Sequence, residues 1–538
     1  MGSSQTLQRY RLTRPELAVF VSGVASMGLE ILAGRMIAPQ FGSSIYTWGS
    51  IIGVFLAALS LGYHRGGRQA AAEASNARMA RVFLFTAVYV AGLIFAGDLF
   101  VSAASGFPLP SRFASLPAVT LLFGPPTYLL GYVSPYAAEL SKKDGLGEAS
   151  GHVYAVGTVG SIVGAFATTY LLIPELSVPQ IGLVFGLLSV GTAAALTLPD
   201  GNRHAYASVF VAALLVAATA SGAAGVSVRG QVVYQDQTAY QQLQVVDLGD
   251  RRTLYLDGQP HSAMDRSDPH RHVFDYTRYF HLPFLLNDDI DRVLFVGGGG
   301  FTGPKRFLAD YDVTVDVVEI DPAVVDAARE YFAVEESDRL NVYTMGGRQY
   351  LRETNRTYDL IVMDAYRKDK VPFQLTTVEF MRLAHDRLSE DGVLFANVIS
   401  APSGPASKFY RAEYKTMARV FPRVYSFPTA SGVVVQNIEV VATKNETVVT
   451  EERLLARNER RDIGIDLESE IRSYRRSEPT DDVPVLRDDR APVDSLLDPM
   501  VGQRYVLEET ATNASDGPPS AVARPGPLLS PARAPARS

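Results

Sequence analysis

Hydrophobic positions divide the chain in two. Over the first 225 residues the apolar runs are long and nearly unbroken, while beyond them apolar and polar positions alternate at short periods. Runs near 16–37, 45–63, 82–104, 113–139, 152–174, 179–198 and 205–224 approach the roughly 20 residues a helix needs to cross a bilayer, which predicts about seven spans. The run from Phe113 to Leu140 is interrupted by Gly124-Pro125-Pro126 and by Pro135, the pattern of a broken or re-entrant element. Gly157, Gly160 and Gly164 recur at a spacing that lets helices pack closely. Trp48, the only tryptophan, is expected near an interface. Glu30 and Arg35 fall in or at the end of the first run, where ionisable groups are costly and often functional. An inter-helix ion pair, or an Arg reaching out to the interface, is the structural alternative.

Residues 226–260 change to the period of two expected of strands, with a turn around Gly249 between Asp247 and Arg251, and predict a small β-meander. The stretch 272–286 has a helical pattern with aromatics at 274, 276, 279 and 280. The segment Val293–Asp321, VLFVGGGGFTGPKRFLADYDVTVDVVEID, then reads as strand, glycine turn, helix, strand and acid. Gly298, Gly300 and Gly303 satisfy G-x-G-x-x-G, and Glu319 stands where a carboxylate meets ribose hydroxyls. The glycines, with Gly297 and Gly299, let the backbone approach a ligand, and the helix start offers free N–H groups. A tight turn without a ligand is the alternative.

The α/β pattern continues with strands at 341–343, 358–364 and 392–398, helices at 377–388 and 404–419, and an edge hairpin from 421–427 and 433–442. Ligands of such sheets bind beyond the carboxyl ends of the strands. Gly297–Gly303, Glu319, Asp321, Gly346, Gly347 and Asp364 all fall there. Residues 450–476 are charged and helical in pattern, and the tail from about 510, rich in Pro, Ala, Ser and Arg, reads as disordered. The expected organisation is a multi-pass helical domain (1–224), a β-meander (225–289), a Rossmann-like domain (290–445), a C-terminal segment (446–509) and a tail (510–538).

Composition narrows the chemistry. The net charge of −7 gives no support for nucleic-acid binding. The absence of cysteine excludes disulfides, thiolate metal sites and Cys nucleophiles. The eight His residues show no metal-ligand spacing, so no metal and no prosthetic group are expected. No small-residue cleavage site follows the first apolar run, so no removable leader is expected.

Taken together, LEILAGRMIAPQFGSSIYTWGSIIG and LSLGY in the first half, and TAYQQLQVV, LYLDGQ, DYTRYFHLPF, VLFVGGGG, VVEIDP, YDLIVMDAYRKDKVPFQLTTVEF and DDRAPVD in the second, resemble the spermidine synthase (polyamine aminopropyltransferase) family. The resemblance is to its membrane-fused branch, with an N-terminal transporter-like domain, and extends to about residue 498. It implies a multi-span membrane domain, then a β-meander and a class I methyltransferase-like domain. The implied co-substrate is decarboxylated S-adenosylmethionine, and the implied acceptor is a small amine. By resemblance Gln241 contacts the nucleoside, Glu319 binds the ribose, and Asp364 is the acid at the reacting amine. Tyr366 lines the pocket with Tyr276 on the substrate side, and Asp257 and Asp265 hold a cationic acceptor. Homo-oligomers through the meander are also implied.

Three positions depart from that family's pattern: Gly300 and Gly346 stand where it commonly has Asp, and Arg367, followed by Lys368, replaces a second catalytic-loop Asp. Cations beside a polycationic acceptor are unfavourable, more so at low dielectric, though Asp369 is near enough to compensate. This favours a less cationic acceptor, and it motivates a second reading: a catalytically degenerate, nucleoside-sensing domain on a transporter-like bundle. A different S-adenosylmethionine-dependent transferase is a third reading. A nicotinamide dehydrogenase lacks its His/Lys/Tyr set here. Sidedness is drawn two ways. Arg65, Arg68, Arg78 and Arg81, with Arg9, Arg11 and Arg14, mark their end of the bundle as cytoplasmic, and about seven spans then leave the second half outside. The need for an intracellular nucleoside outweighs the span count, so a cell-membrane protein with a cytoplasmic synthase-like domain is expected.

Overall fold

The computed structural model describes residues 13–41, 45–105, 109, 111–141, 146–197, 202–223, 230–335, 337–366, 371–461, 463–500 and 503–510. Its first half is a bundle of α1 (Arg14–Phe41), α2 (Ile45–Glu73), α3 (Asn76–Ser105), α4 (Leu116–Leu130), α5 (Val133–Leu140), α6 (Leu146–Ala167), α7 (Val178–Thr197) and α8 (Asn202–Ala223). Among the described residues six helices are long and apolar enough to cross a membrane. The seventh expected span, 205–224, falls on α8, whose apolar stretch Tyr206–Ala220 is shorter. The whole of α8 has 22 residues and packs on α3 and α7. At 1.5 Å per residue it rises about 33 Å, the thickness of a hydrocarbon core.

The interruption expected at 124–126 does not form, because α4 runs through Pro125 and Pro126. The helix is broken at Gly131 and Tyr132, one turn before Pro135, and because both residues keep helical backbone angles Arg112–Leu140 remains one continuous path. The glycine spacing of α6 is used against α1. A Cβ on Gly160 would lie 2.2 Å from the Phe20 carbonyl oxygen, and one on Gly164 2.5 Å from that of Val24. Such backbone contact excludes any larger residue. Trp48 lies with its ring against Gly34 of α1, at the end of the bundle that meets the soluble half.

That contact is made by one end of the bundle. The Arg35 guanidinium donates to the Thr238 carbonyl oxygen at 2.6 Å, which accounts for an Arg at the end of an apolar helix. The Ile45 N–H donates to the Asp494 carboxylate. A cleft of about 770 Å³ runs between the ends of α1 and α3, the α6–α7 connection and the first sheet of the soluble half.

In that sheet β1 (Gln231–Gln237), β2 (Gln242–Leu248), β3 (Arg251–Leu256) and β4 (Gln259–Asp265) are joined in sequence. Gly249 turns the β2–β3 hairpin with φ +60°, and Asp257-Gly258 turns β3 into β4 with φ 49° and 74°. Both central residues of that second turn are left-handed, the form whose twist matches the flanking strands. The stretch expected to be helical at 272–286 is a 3₁₀ segment, Asp275–Leu285. Pro283 brings no N–H to bond Tyr279 four residues back, and so disfavours an α-helix there. Tyr276, Tyr279 and Phe280 are buried from this segment.

A seven-stranded sheet follows, built from β5 (Arg292–Val296), β6 (Thr314–Glu319), β7 (Leu340–Thr344), β8 (Tyr358–Met363), β9 (Leu388–Ser400), β10 (Arg423–Pro428) and β11 (Gln436–Thr443). Its order is β10-β11-β9-β8-β5-β6-β7, parallel from β9 to β7 and antiparallel at β11 and β10. The helices α9 (Thr302–Asp310), α10 (Pro322–Tyr331), α11 (Gly347–Glu353), α12 (Val378–Arg387) and α13 (Lys408–Met417) supply the crossovers. The inner strands are buried on both faces, which is why they read as apolar runs and not as alternations. This is the Rossmann-like, methyltransferase-like arrangement, with strand order reversing between β5 and β8. Beyond the sheet, the described residues of 450–476 hold two helices, α14 (Glu451–Arg460) and the four-residue Glu468–Ile471. The tail from 511 and the boundary at 224 lie outside the described residues.

Candidate active site

Beyond the adjoining carboxyl ends of β5 and β8 opens a cavity of about 760 Å³. Gln241, Gly297, Glu319, Gly346, Gly347 and Asp364 line it. A narrow pocket of about 40 Å³, walled by Tyr276, Tyr366, Asn397, Asn437 and Tyr505, lies beside it. Asp364, His261 and Leu256 belong to both walls. Asp364 therefore stands at the junction of a nucleoside-sized space and a slot that fits a narrow chain.

The glycine run divides its work. Gly297 has φ +103°, and a Cβ there would lie 2.4 Å from the Asp364 carbonyl oxygen, so only glycine lets the two strand ends meet. The Gly298 N–H donates to Glu319 at 2.9 Å and fixes that carboxylate at the cavity. Gly299, at φ +49°, continues the turn. Gly300 and Gly303 do not reach the cavity. A side chain at 300 would meet Ser262 and Phe332, and one at 303 would meet Phe295 and Phe280. No room exists at 300 for an amine-facing acid. At 346, by contrast, a side chain would point into open space, so the acid absent there leaves the cavity wider. Gly347 packs on Val296, where a Cβ would approach to 2.4 Å.

Glu319 is buried, and burial raises its carboxyl above the usual range, opposed by the N–H groups of Asp321 and Gly298. Asp321 lies behind the cavity wall. It caps α10 through the Ala323 N–H and accepts from Thr238 Oγ1 at 2.6 Å. Thr238 Oγ1 in turn accepts from the Gln241 N–H at 3.0 Å and so sets the turn that carries Gln241. Arg35 holds this same turn from α1, so the helical bundle helps to shape the cavity wall.

Asp257 and Asp265 face elsewhere. Asp257 accepts from the Gln242 N–H at 2.8 Å and lines the cleft toward the bundle. Asp265 accepts from Ser267 and Arg271 in its own turn, which pulls its carboxyl down to about 2. Arg367, Lys368 and Asp369 lie outside the described residues.

Asp364 is partly buried, and desolvation pushes its carboxyl up to about 6, against the Asn397 amide that donates to it at 2.8 Å. Behind Asn397 the bonds continue in one direction. Asn437 Nδ2 donates to Asn397 Oδ1 at 2.7 Å, and the Tyr505 hydroxyl donates to Asn437 Oδ1 at 2.6 Å. This relay fixes the Asp364 carboxyl as an acceptor. Tyr366 donates to Glu413 at 2.7 Å, a buried acid pushed up to about 8 by burial. Asn397, Asn437, Tyr505 and His261 were not singled out in the sequence. The available signal was the run of amides and acid, Gln436, Asn437 and Glu439, inside an otherwise apolar and fully buried strand.

The titration of Asp364 can be read without a ligand. A carboxyl raised from about 3.8 to about 6 favours the folded state at low pH, and this advantage is lost as pH rises through about 6. Thermal unfolding of Asp364→Asn and wild type is expected to diverge in favour of the variant between about pH 4 and pH 6 and to run parallel above, by a few kcal/mol. Asn397→Leu, which removes the stabilising donor, should move the wild-type transition to higher pH. A pH-independent difference would show that Asp364 is not raised.

Comparison with known proteins gives a consistent set of relatives. Residues 274–448 match the family profile described as the spermine/spermidine synthase domain. A polyamine aminopropyltransferase of Vibrio vulnificus is 32% identical over 212 residues, covering 37% of this chain and 69% of that protein. One from Chromobacterium violaceum is 29% identical over 220 residues, covering 40% and 80%. The crystal structure of a probable spermidine synthase from Corynebacterium glutamicum aligns with 20% identity and a TM-score of 0.38, over 42% of this chain and 86% of that one.

Proposed function

The chain belongs to the spermine/spermidine synthase family, and we propose that it is a membrane-anchored aminopropyltransferase, moving a propylamine group from decarboxylated S-adenosylmethionine to a small amine. One observation carries the reading: Asp364 closes both the nucleoside-sized cavity and the narrow pocket. In the proposed reaction the donor nucleoside lies against Glu319, Gln241 and Gly297, and its sulfonium is near Asp364. The amine nitrogen attacks the adjacent propyl carbon in line, the carbon–sulfur bond breaks, and its electron pair stays on sulfur as a neutral thioether. The proton lost from nitrogen goes to Asp364, whose raised carboxyl is matched to this exchange near neutral pH. Sulfur is already a good leaving group, so positioning is the main demand on the protein.

The apolar helices support anchoring in a membrane, and the distribution of cations supports an orientation. The soluble half meets the ends of α1, α3 and α6 and the starts of α2 and α7. Among the described residues, the opposite end holds Arg14 at the start of α1, Arg65 and Arg68 in α2, Arg78 and Arg81 in α3, and Arg203 in α8. Among the described residues, the end nearer the soluble half has Arg35 and Arg112. Cytoplasmic connections are the ones enriched in Lys and Arg. The reading is therefore of a soluble half facing away from the cytoplasm, the reverse of the expectation from donor supply, and donor and amine then have to reach it on that face.

Two measurements follow. Titration of the purified full chain with methylthioadenosine should show binding that falls about tenfold or more in Glu319→Gln, from loss of a charge-assisted contact, and persists in Asp364→Asn. A wild-type chain that binds no nucleoside removes the transferase reading. For orientation, a chain without cysteine allows single labels to be placed cleanly. In intact cells a membrane-impermeant maleimide should react with Asp312→Cys on the soluble half, and with Ala72→Cys at the far end of α2 only after lysis. Labelling of Asp312→Cys only after lysis reverses the orientation.

A further inference from the structure

The cleft between the bundle and the first sheet is a cavity that the transfer reaction does not use. Its volume of about 770 Å³ falls within the range of small-molecule sites, roughly 300–1,000 Å³. One wall is a face of the meander. Register sets Gln235 of β1 opposite Gln244 of β2, and Gln237 opposite Gln242, so four amides share that face. The alternate residues Leu243 and Val245 point the other way, into the apolar cluster against α10. Among the described residues the side-chain amides of these four glutamines bond to no other group, which leaves their oxygens to the cleft. The facing wall is apolar, with Met36, Leu93 and Ile94, the last two inside the apolar stretch Asn76–Gly97.

Charge narrows what fits between these walls. Three acids line the cleft, Glu175, Asp236 and Asp257, against the single cation Arg35. Arg35 already bonds the Thr238 carbonyl, and Asp257 and Asp321 both act on it. Asp257 belongs to the amide face, where its carboxylate accepts the Gln242 N–H at 2.8 Å. Glu175 stands on the bundle side, before the start of α7, and among the described residues it has no cationic partner. Asp236 adds its charge at the rim, from the edge strand β1. A cleft with an excess of one sign of charge concentrates ions of the other sign. Acids on both walls suit a ligand charged at more than one point, and the apolar strip suits methylenes between those points.

We propose that this cleft is a second ligand site, which takes a linear aliphatic polyamine. Its ammonium groups meet Asp257 and Glu175 and the oxygens of the glutamine face, and its methylenes lie along Met36, Leu93 and Ile94. The site is separate from the two cavities at Asp364 and stands whether or not the chain transfers an aminopropyl group. It backs on both of them. Gln241 lines the donor cavity and Gln242 the cleft, and Leu256 lines the narrow pocket and Asp257 the cleft.

Because the chain has no cysteine, one introduced thiol can mark the cleft. The purified full chain carrying Gln244→Cys, or Gln235→Cys on the paired strand, would be alkylated with N-ethylmaleimide in the presence and absence of spermidine. Spermidine is expected to slow labelling of both about tenfold, n-butylamine to leave it unchanged, and exposed Asp312→Cys to respond to neither. Adding Asp257→Asn with Glu175→Gln should raise the spermidine concentration needed for protection by about tenfold or more and leave methylthioadenosine affinity unchanged. Labelling that spermidine does not slow overturns the inference, as does equal protection by n-butylamine or protection that survives loss of both acids. Reconstitution in phosphatidylcholine vesicles with and without phosphatidylethanolamine separates a lipid amine from a free one. Protection by the ethanolamine lipid and none by spermidine assigns the cleft to a headgroup and also overturns the inference. None of these outcomes depends on whether the nucleoside binds.

Discussion

The site depends on one close approach of backbone. At Gly297 the chain leaves β5 with φ +103°, and the place of its missing Cβ is 2.4 Å from the carbonyl oxygen of Asp364. Any larger residue would push the ends of β5 and β8 apart and strain the turn. Because they meet, Glu319 at the end of β6 and Asp364 at the end of β8 face a single cavity, one on either side of the point where strand order reverses. The Gly298 N–H then fixes Glu319, and the relay from Tyr505 through Asn437 and Asn397 fixes Asp364.

Among the described residues, the acids at this site have no cationic partner. Asp364 has an amide neighbour and Glu413, behind Tyr366, a phenol. Elsewhere the same chain pairs its carboxylates with arginine, as at Asp247 with Arg252 and Asp265 with Arg271. Burial without a counter-charge raises carboxyl groups and leaves them ready to take up a cation or a proton. The bundle contributes to this arrangement from outside. Arg35 holds the Thr238 turn, and through Thr238 it steadies Asp321 and Gln241. The end of an apolar helix thereby braces the turn behind a polar cavity.

Much of this was legible in the sequence, and the misses have physical causes. The parallel strands were visible because doubly buried strands read as short apolar runs, and Glu319 and Asp364 stood out because each ends such a run. The glycine run was legible as a turn but not in its division of labour: whether Gly300 faces a ligand or Phe332 depends on packing from distant segments. Asp257 and Asp265 looked equally suited to an amine, but hairpin geometry turned one toward the bundle and local donors absorbed the other. Asn397 and Asn437 lay hidden in strands whose apolar neighbours dominate the pattern, and their bond required the register of β9 with β11. The expected helix at 272–286 gave way to a 3₁₀ segment at a single proline.

The central claim is that Asp364 joins a donor nucleoside to an amine, and product analysis tests it most directly. The purified full chain would be incubated with decarboxylated S-adenosylmethionine and 1,4-diaminobutane, and the products followed by mass spectrometry. The account predicts methylthioadenosine and an aminopropylated diamine in equal amounts, with both lost in Asp364→Asn. A chain that binds the donor and releases neither product, or an Asp364→Asn variant that forms both at the wild-type rate, would contradict it.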